Sequence, residues 1–235
     1  MQEKKSIFKH PELGEITVIR KPRAKRITLR VRGGCITATL PYICPIRLLE
    51  EIIDNNCERL KEEVAGTRLR IIDWDFTLKG PCFYLKLQQS NNEDIQITGK
   101  DGVYILSCPA SANFSNSDTQ EQLRDAIKAA LRHRAKLIIP KRLAQLATQH
   151  NIKYSNVSVR DSHSRWGSCS TRGSISLSIY LVLLPIELID YVLRHELCHT
   201  VHMDHSTQFW ALLDKFCGTS SKELREQLKS YHTGF

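Results

Sequence analysis

The chain has 235 residues, of which 41% are hydrophobic and 25% charged, and its formal net charge at pH 7 is +9. This composition is that of an ordinary globular protein, and it excludes the disordered and fibrous classes. The length lies between that of one large domain and that of two small ones, and it is sufficient to bury a substantial core.

The sequence shows no signal-peptide pattern and no CxxC cysteine pair. The N-terminal segment is charged and lacks the apolar stretch of a signal peptide, MQEKKSIFKHPELGE. The most apolar stretch, Ile179 to Ile186, is shorter than the roughly 20 residues that cross a bilayer. The eight cysteines include no CxxC pair, which leaves zinc-finger and thioredoxin-like motifs without support. We therefore expect a cytoplasmic protein with no membrane segment and with free thiols.

The N-terminal region, residues 1–110, is predicted to be rich in β-strands with one helix. Apolar residues alternate with polar ones between residues 15 and 40, and Gly33-Gly34 predicts a hairpin turn within this segment. Helical spacing of apolar residues predicts a single helix from Pro45 to about Val64. Two further hairpins are predicted at glycine-containing turns, Lys79-Gly80-Pro81 and Gly99-Lys100-Asp101-Gly102.

The C-terminal region is predicted to be mainly helical. A long helix is expected from Thr119 or Gln120 to about His150, with Pro140 as a point where it could bend. Strands are predicted near Tyr154–Val159 and Ser174–Tyr180, and a further helix begins at Pro185. Two more helices are predicted, one after Ser206 and ending at Gly218, and one after Ser220. The fold class that follows is α+β, with a β-rich N-terminal half followed by a mainly helical half.

One motif in this helical half carries chemistry. His195-Glu196-Leu197-Cys198-His199 matches HExxH, and residues four apart on a helix lie on one face, so both imidazoles can reach one metal ion. Glu196 is turned by about 100° from His195, which lets its carboxylate meet a metal-bound water without being a ligand. Leu188 and Val192 continue the stripe of the histidines towards the core. The polar face of the helix is predicted to carry Glu187, Asp190 and Arg194.

The alternative interpretation is two buried core histidines beside a surface glutamate, which would bury ionisable groups at a cost and for no evident reason. A catalytic zinc ion has three protein ligands and one open position. The spacing leaves several candidates for the third ligand: His202, His205, Glu223 and Glu226. His205 stands at the metzincin spacing, but that class is excluded because His202 replaces its glycine and no methionine follows Met203.

Several further segments carry a resemblance to a known family. They are Arg165-Trp166-Gly167-Ser168-Cys169-Ser170, Leu188-Ile189-Asp190-Tyr191-Val192, the HExxH motif, His205-Ser206 and Phe209-Trp210. Over about residues 120 to 217 the chain resembles the YgjP-like metallopeptidase family, and the likeness is weaker in the basic strand region and at Pro41. The resemblance implies a zincin-like catalytic domain over residues 118–235. It also implies His195, His199 and His205 as Zn²⁺ ligands and Glu196 as the catalytic residue.

The function that follows is a zinc-dependent metallopeptidase acting on a peptide or protein substrate. In this hypothesis Glu196 assists the attack of a zinc-bound water on the peptide bond. Arg165 and His163 flank the Trp166-Gly167 turn, so they are candidates for substrate contact or for stabilising the oxyanion. The edge of the strand from Ser174 to Tyr180 is a candidate for binding extended peptide, unless both of its edges are already paired.

The basic charge raises a second function, a nucleic-acid-associated zincin such as a SprT-like protease or a binding module. Basic residues concentrate in Arg20–Arg26 and in Lys128–Arg142. The same pattern is typical of the solvated faces of strands and helices, and the interleaved aromatic residues of a single-strand binder are missing. Nucleic acid is therefore a possible partner that the sequence does not favour.

Overall fold

The computed structural model describes residues 3–32, 34–67 and 70–231. Its contacts divide the chain into two compact units, Met1–Arg70 and Ile71–Gly234. This division falls earlier than the predicted one between residues 110 and 118, because the sheet formed by residues 77–109 packs against the long helix that follows it. The predicted pair of domains stays a prediction. No helix among the described residues combines the length and the apolar character that crossing a membrane requires.

The first unit is built on a four-stranded sheet in the order β1-β2-β4-β3. Its central strands, β2 and β4, are parallel, and the outer pairs are antiparallel. The strand β1 was not predicted, because most of its side chains are exposed and it lacks apolar alternation. The predicted turn at Gly33-Gly34 lies partly outside the described residues, since Gly33 is not among them. The strand bounds are Lys4–His10, Gly14–Lys21, Thr28–Arg32 and Cys35–Pro41 for β1 to β4.

Two helices, α1 (Ile46–Asp54) and α2 (Cys57–Thr67), stand where one was predicted. The helical conformation is interrupted at Asn55 and Asn56. The Asn56 side-chain amide donates a hydrogen bond to the Ile52 carbonyl over 2.8 Å. Such a side-chain bond competes with the helical backbone pattern. The break is invisible in the apolar spacing because both helices bury residues in one core, Leu49, Ile53 and Leu60.

The second unit begins with another four-stranded sheet, in the order β5-β6-β8-β7. Its topology repeats that of the first sheet, with a parallel central pair, β6 and β8, flanked by antiparallel partners. Both predicted hairpins are confirmed. In the second hairpin the chain turns at Asp101 and Gly102, whose φ angles of 53° and 91° lie in the left-handed region. The bounds are Thr77–Gly80, Phe83–Ser90, Gln96–Lys100 and Val103–Pro109 for β5 to β8.

The long helix α3 spans Ser117–Gln149, close to its predicted bounds, and Pro140 lies within it without ending it. Its start is fixed by Asn116, whose side-chain oxygen accepts from the backbone N–H of Asp118 over 2.7 Å. The buried face of α3 packs against the later elements of the unit, including the helix that carries the histidines. Helix α3 therefore packs against the helix on which the candidate site lies.

A three-stranded sheet follows, in the order β10-β11-β9, with bounds Gly167–Cys169 for β10, Ser174–Ser178 for β11 and Asn156–Arg160 for β9. The strand β11 is central: it pairs antiparallel with β10 and parallel with β9. The hypothesis that the edge of this strand binds peptide is therefore wrong. The strand also ends before Tyr180, because Ser178 caps a 3₁₀ helix over Ile179–Leu183.

Three helices complete the chain, α4 (Ile186–Cys198), α5 (Thr207–Cys217) and α6 (Ser221–Lys229). Their predicted starts are confirmed, and α5 ends at Gly218 with a left-handed φ of 68°. The placement of Asp190 on an exposed polar face is wrong, since it is only 6% exposed. Arg142 of α3 binds both of its carboxylate oxygens, over 2.7 and 2.6 Å. The Arg194 guanidinium lies 3.6 Å from the same carboxylate.

We expect Arg142→Ala to lower the free energy of unfolding by about 2 kcal/mol, because Asp190 stays buried with only the weaker Arg194 contact. The Arg142 side chain is 38% exposed, so the loss is smaller than for a fully buried pair. Urea denaturation measures the change. Lys141→Ala, at the exposed neighbouring position, is the control and should cost less than about 0.5 kcal/mol. Equal losses of unfolding free energy in the two variants would mean that the ion pair between Arg142 and Asp190 does not stabilise the fold.

Candidate metal centre

Three imidazoles converge at the end of α4. His195 lies in its last turn, His199 follows as its C-terminal cap, and His205 comes from the loop before α5. The Nε2 atom of His195 is 3.2 Å from that of His199 and 3.2 Å from that of His205. Tetrahedral zinc with nitrogen ligands at about 2.0–2.1 Å separates those nitrogens by about 3.3 Å. The three side chains therefore fit a zinc-sized ion.

Contacts outside the helix hold these imidazoles in place. The Nδ1 atom of His199 lies 3.1 Å from the His202 carbonyl, and donation to that oxygen leaves the Nε2 lone pair for a metal. The Trp210 indole N–H donates to the His205 carbonyl over 3.1 Å, which fixes the loop. Phe209 is fully buried beneath the cluster, with its ring centroid 4.6–4.9 Å from each imidazole. These packing contacts make the cluster rigid.

The environment favours the neutral form of two of the imidazoles, His195 and His199. Burial, together with the nearby His199 and His205, lowers the pKa of His195 to about 3. Burial also lowers the pKa of His199. A neutral imidazole is the form that binds a metal ion. Burial therefore favours the form of His195 and His199 that can bind a metal ion.

Glu196 is buried beside the imidazoles and is only 5% exposed. Gly167 of β10 packs directly against it: a Cβ atom added to this glycine would lie 2.6 Å from Oε1 and 2.7 Å from Cγ of Glu196. Its other oxygen, Oε2, is buried and has no hydrogen-bond partner among the described residues. Burial raises the pKa of Glu196 to about 8, and the positive charge of Arg165 opposes that rise. The Glu196 side chain is thus positioned by packing, and one of its oxygens has no partner among the described residues.

The two candidates for substrate contact lie in different surroundings. Arg165 is exposed just before β10, and its charge acts on Glu196. His163 belongs to a neighbouring cluster, with its Nε2 atom 2.7 Å from the Tyr180 hydroxyl and 3.3 Å from the Asp161 carboxylate. A role in catalysis for either residue stays a prediction.

The candidate metal ligands that the spacing left open lie in different places in the structure, and the ligand set itself stays a prediction. The fold brings His205 to His195 and His199, whereas His202 contributes its backbone carbonyl and Glu226 binds Lys229 over 2.8 Å. A second group with the required atoms, Glu12, Cys57 and Glu58, lies in the first unit. The ammonium group of Lys61 already contacts both glutamates there, so both carboxylates have a cationic partner without a metal ion. That group is not favoured as a metal site.

A helical HExxH motif, a third histidine and a buried glutamate form the arrangement of a metallopeptidase. The family described as "YgjP-like, metallopeptidase domain" matches residues 25–231. The chain therefore belongs to the YgjP-like metallopeptidase family, as its motifs indicated, and this membership implies a bound metal ion.

A solved structure similar to this chain is that of the metallopeptidase zymogen of Pyrococcus abyssi abylysin, with 24% sequence identity and a TM-score of 0.36. The matched region covers 40% of this chain and 93% of that chain. A comparison with curated proteins finds no match.

Proposed function

We propose that this metallopeptidase uses Zn²⁺, held by His195, His199 and His205, and that Glu196 is its general base. The observation that carries the proposal is the convergence of three Nε2 atoms, at 3.2 Å from His195 to each of the other two. Three imidazole nitrogens around a tetrahedral position with one side open are typical of catalytic zinc. Carboxylate and carbonyl oxygens, which magnesium and calcium prefer, do not belong to this donor set.

When bound, zinc supplies a Lewis acid that activates water and polarises the scissile carbonyl. The chain itself provides the proton transfer. Glu196 takes a proton from the attacking water at its unpartnered Oε2 atom while the new C–O bond forms. It then delivers that proton to the leaving nitrogen as the C–N bond breaks. Burial of Glu196 and its contact with Gly167 hold the carboxylate in one position for both transfers.

Metal content tests the ligand assignment. His205→Ala should lose zinc, because two imidazoles bind it far more weakly than three. His202→Ala is the matched control: it removes an imidazole three residues from His205 in sequence but keeps the backbone carbonyl that accepts from His199. We expect about one zinc per chain in wild type and in His202→Ala, and less than about one tenth of that in His205→Ala after dialysis, measured by mass spectrometry. Full zinc occupancy in His205→Ala would remove His205 from the ligand set.

Nucleic-acid binding stays a prediction, as does cytoplasmic location. Part of the N-terminal basic segment stabilises the fold, because the Arg20 guanidinium donates to the carbonyls of Pro41, Tyr42 and Cys44. Lys21 forms an ion pair with Glu3 over 2.8 Å. Because these contacts are within the protein, Arg20 and Lys21 do not support the nucleic-acid-associated function.

A further inference from the structure

A cavity of about 520 Å³ lies against the three-stranded sheet of the second unit. Its twelve lining residues include seven serines and two arginines. Gly167 is also among them, and the same glycine packs against the Glu196 carboxylate. Gly167 is paired with the buried Leu177, so its side that faces Glu196 is the core side of the sheet, and the serine wall lies on the opposite face of the outer strand β10.

The register of the sheet produces the hydroxyl-rich wall of this cavity. Along β11, Ile175 and Leu177 are buried, whereas Ser174 and Ser176 alternate with them. Parallel pairing places Ser158 of β9 beside Ser176, and their hydroxyl oxygens are 3.3 Å apart. Serines of two adjacent strands thus form one continuous polar surface.

Two arginines flank this surface. Arg160 follows Ser158 by two residues on β9, so it shares its face, and its Nε–H donates to the Ser158 hydroxyl over 3.4 Å. Arg165 lies in the segment before β10, where the Ser162 hydroxyl donates to its carbonyl over 3.2 Å. Throughout the described ranges, neither guanidinium lies within 4.0 Å of a carboxylate.

The chemistry of the cavity favours a carboxylate. Guanidinium and hydroxyl groups are donors, guanidinium binds a carboxylate through two parallel hydrogen bonds, and no acidic side chain lines the cavity to oppose this. Its single large apolar residue, Leu177, is too little to select a hydrophobic group. The absence of an aromatic ring from the lining disfavours stacking with a nucleotide base.

We propose that this cavity is a specificity subsite that binds an acidic side chain of a peptide substrate extended along the outer strand β10, because successive side chains of an extended chain point to opposite faces of a sheet. Arg160 and Arg165 are its specificity-determining residues, and the serine hydroxyls complete the donor set. The inference rests on the proposed function, because the strand β10 that lines the cavity on one face contacts, through Gly167, the proposed general base on the other.

Binding to a Glu196→Gln protein tests the subsite without turnover. The probes are two fluorescein-labelled peptide pools that differ only at one fixed central position, with glutamate in one pool and glutamine in the other. We expect the glutamate pool to bind about tenfold more tightly, the effect of one charge-assisted pair. The difference should disappear in Arg160→Gln and Arg165→Gln made in this background. Arg172→Gln is the control, since this exposed arginine lies in the turn between β10 and β11 and does not line the cavity.

Equal affinity for the two pools would overturn the subsite, even if the wild type cleaves peptides. So would an equal loss in Arg172→Gln, which would indicate diffuse positive charge. If a single-stranded oligonucleotide bound more tightly than the glutamate pool, and Arg160→Gln abolished that binding, the ligand of the cavity would be nucleic acid rather than an acidic peptide. A wild-type protein that cleaves no peptide, while its Glu196→Gln variant still selects the glutamate pool, would count against the proposed function and leave the site in place.

Discussion

Glu196→Gln should keep its zinc and lose at least about 1,000-fold in kcat, because the amide is nearly isosteric with the carboxylate but accepts no proton. The free energy of unfolding should not fall, since a buried ionisable group is replaced by a neutral one. Peptide products from an unselected peptide mixture, identified by mass spectrometry, report activity, and metal analysis of the same sample reports zinc. The neutral substitution thus separates proton transfer from metal binding.

Glu187→Gln is the matched control for this change, because Glu187 is an exposed glutamate in the first turn of the same helix. It should cleave peptides at the wild-type rate. If Glu196→Gln retained both zinc and the wild-type rate, another group would have to be the general base. If it lost zinc together with activity, Glu196 would belong to the metal site itself rather than to the proton-transfer step.

Local sequence signals predicted the elements that position the site. Pro185 marked the start of the histidine helix, and a spacing of four residues placed His195 and His199 together on its inner face. The two hairpins of the second sheet were predicted from their turn residues. These elements could be predicted because residues only a few positions apart in the sequence determine each of them.

Features that depend on side-chain packing or on distant residues did not follow from spacing alone. Spacing alone left His202, Glu223 and Glu226 open beside His205, because the loop before α5 is fixed by Phe209 and Trp210. The parallel pairs at the centres of both four-stranded sheets join strands that are not consecutive, and no local pattern encodes that choice.

Asp190 shows the same limit at a single residue. Its place on the helix predicts a polar face, and the partner that allows its burial, Arg142, is 48 residues away. The contact between Gly167 and Glu196 also joins a strand to a helix across a turn, a second strand and a 3₁₀ helix. Periodicity predicts the face of a helix or strand on which a residue lies, but it does not identify the distant residue that it contacts.

Gly167→Ala should lower kcat by about 100-fold while zinc stays bound, because a displacement of about 1 Å at a catalytic group has an effect of this size. The added methyl group would lie 2.6 Å from Oε1 of Glu196, a distance that forces one of the two groups to move. The backbone of β10 is held by its pairing with β11 and by the bond from Ser178 N–H to the Trp166 carbonyl, 2.9 Å long. The glutamate side chain is therefore the group that shifts.

A control in the same hairpin separates this displacement from simple destabilisation. Gly173 has a left-handed φ of 71°, and an added Cβ atom there comes no closer than 3.6 Å to its neighbours. Gly173→Ala should therefore cost about 1 kcal/mol of stability through backbone strain, with the rate per folded molecule unchanged. Because Gly167 acts through Glu196, adding Gly167→Ala to Glu196→Gln should lower the residual rate no further. Additive losses in the double variant would mean that Gly167 supports catalysis by a route that does not pass through the carboxylate.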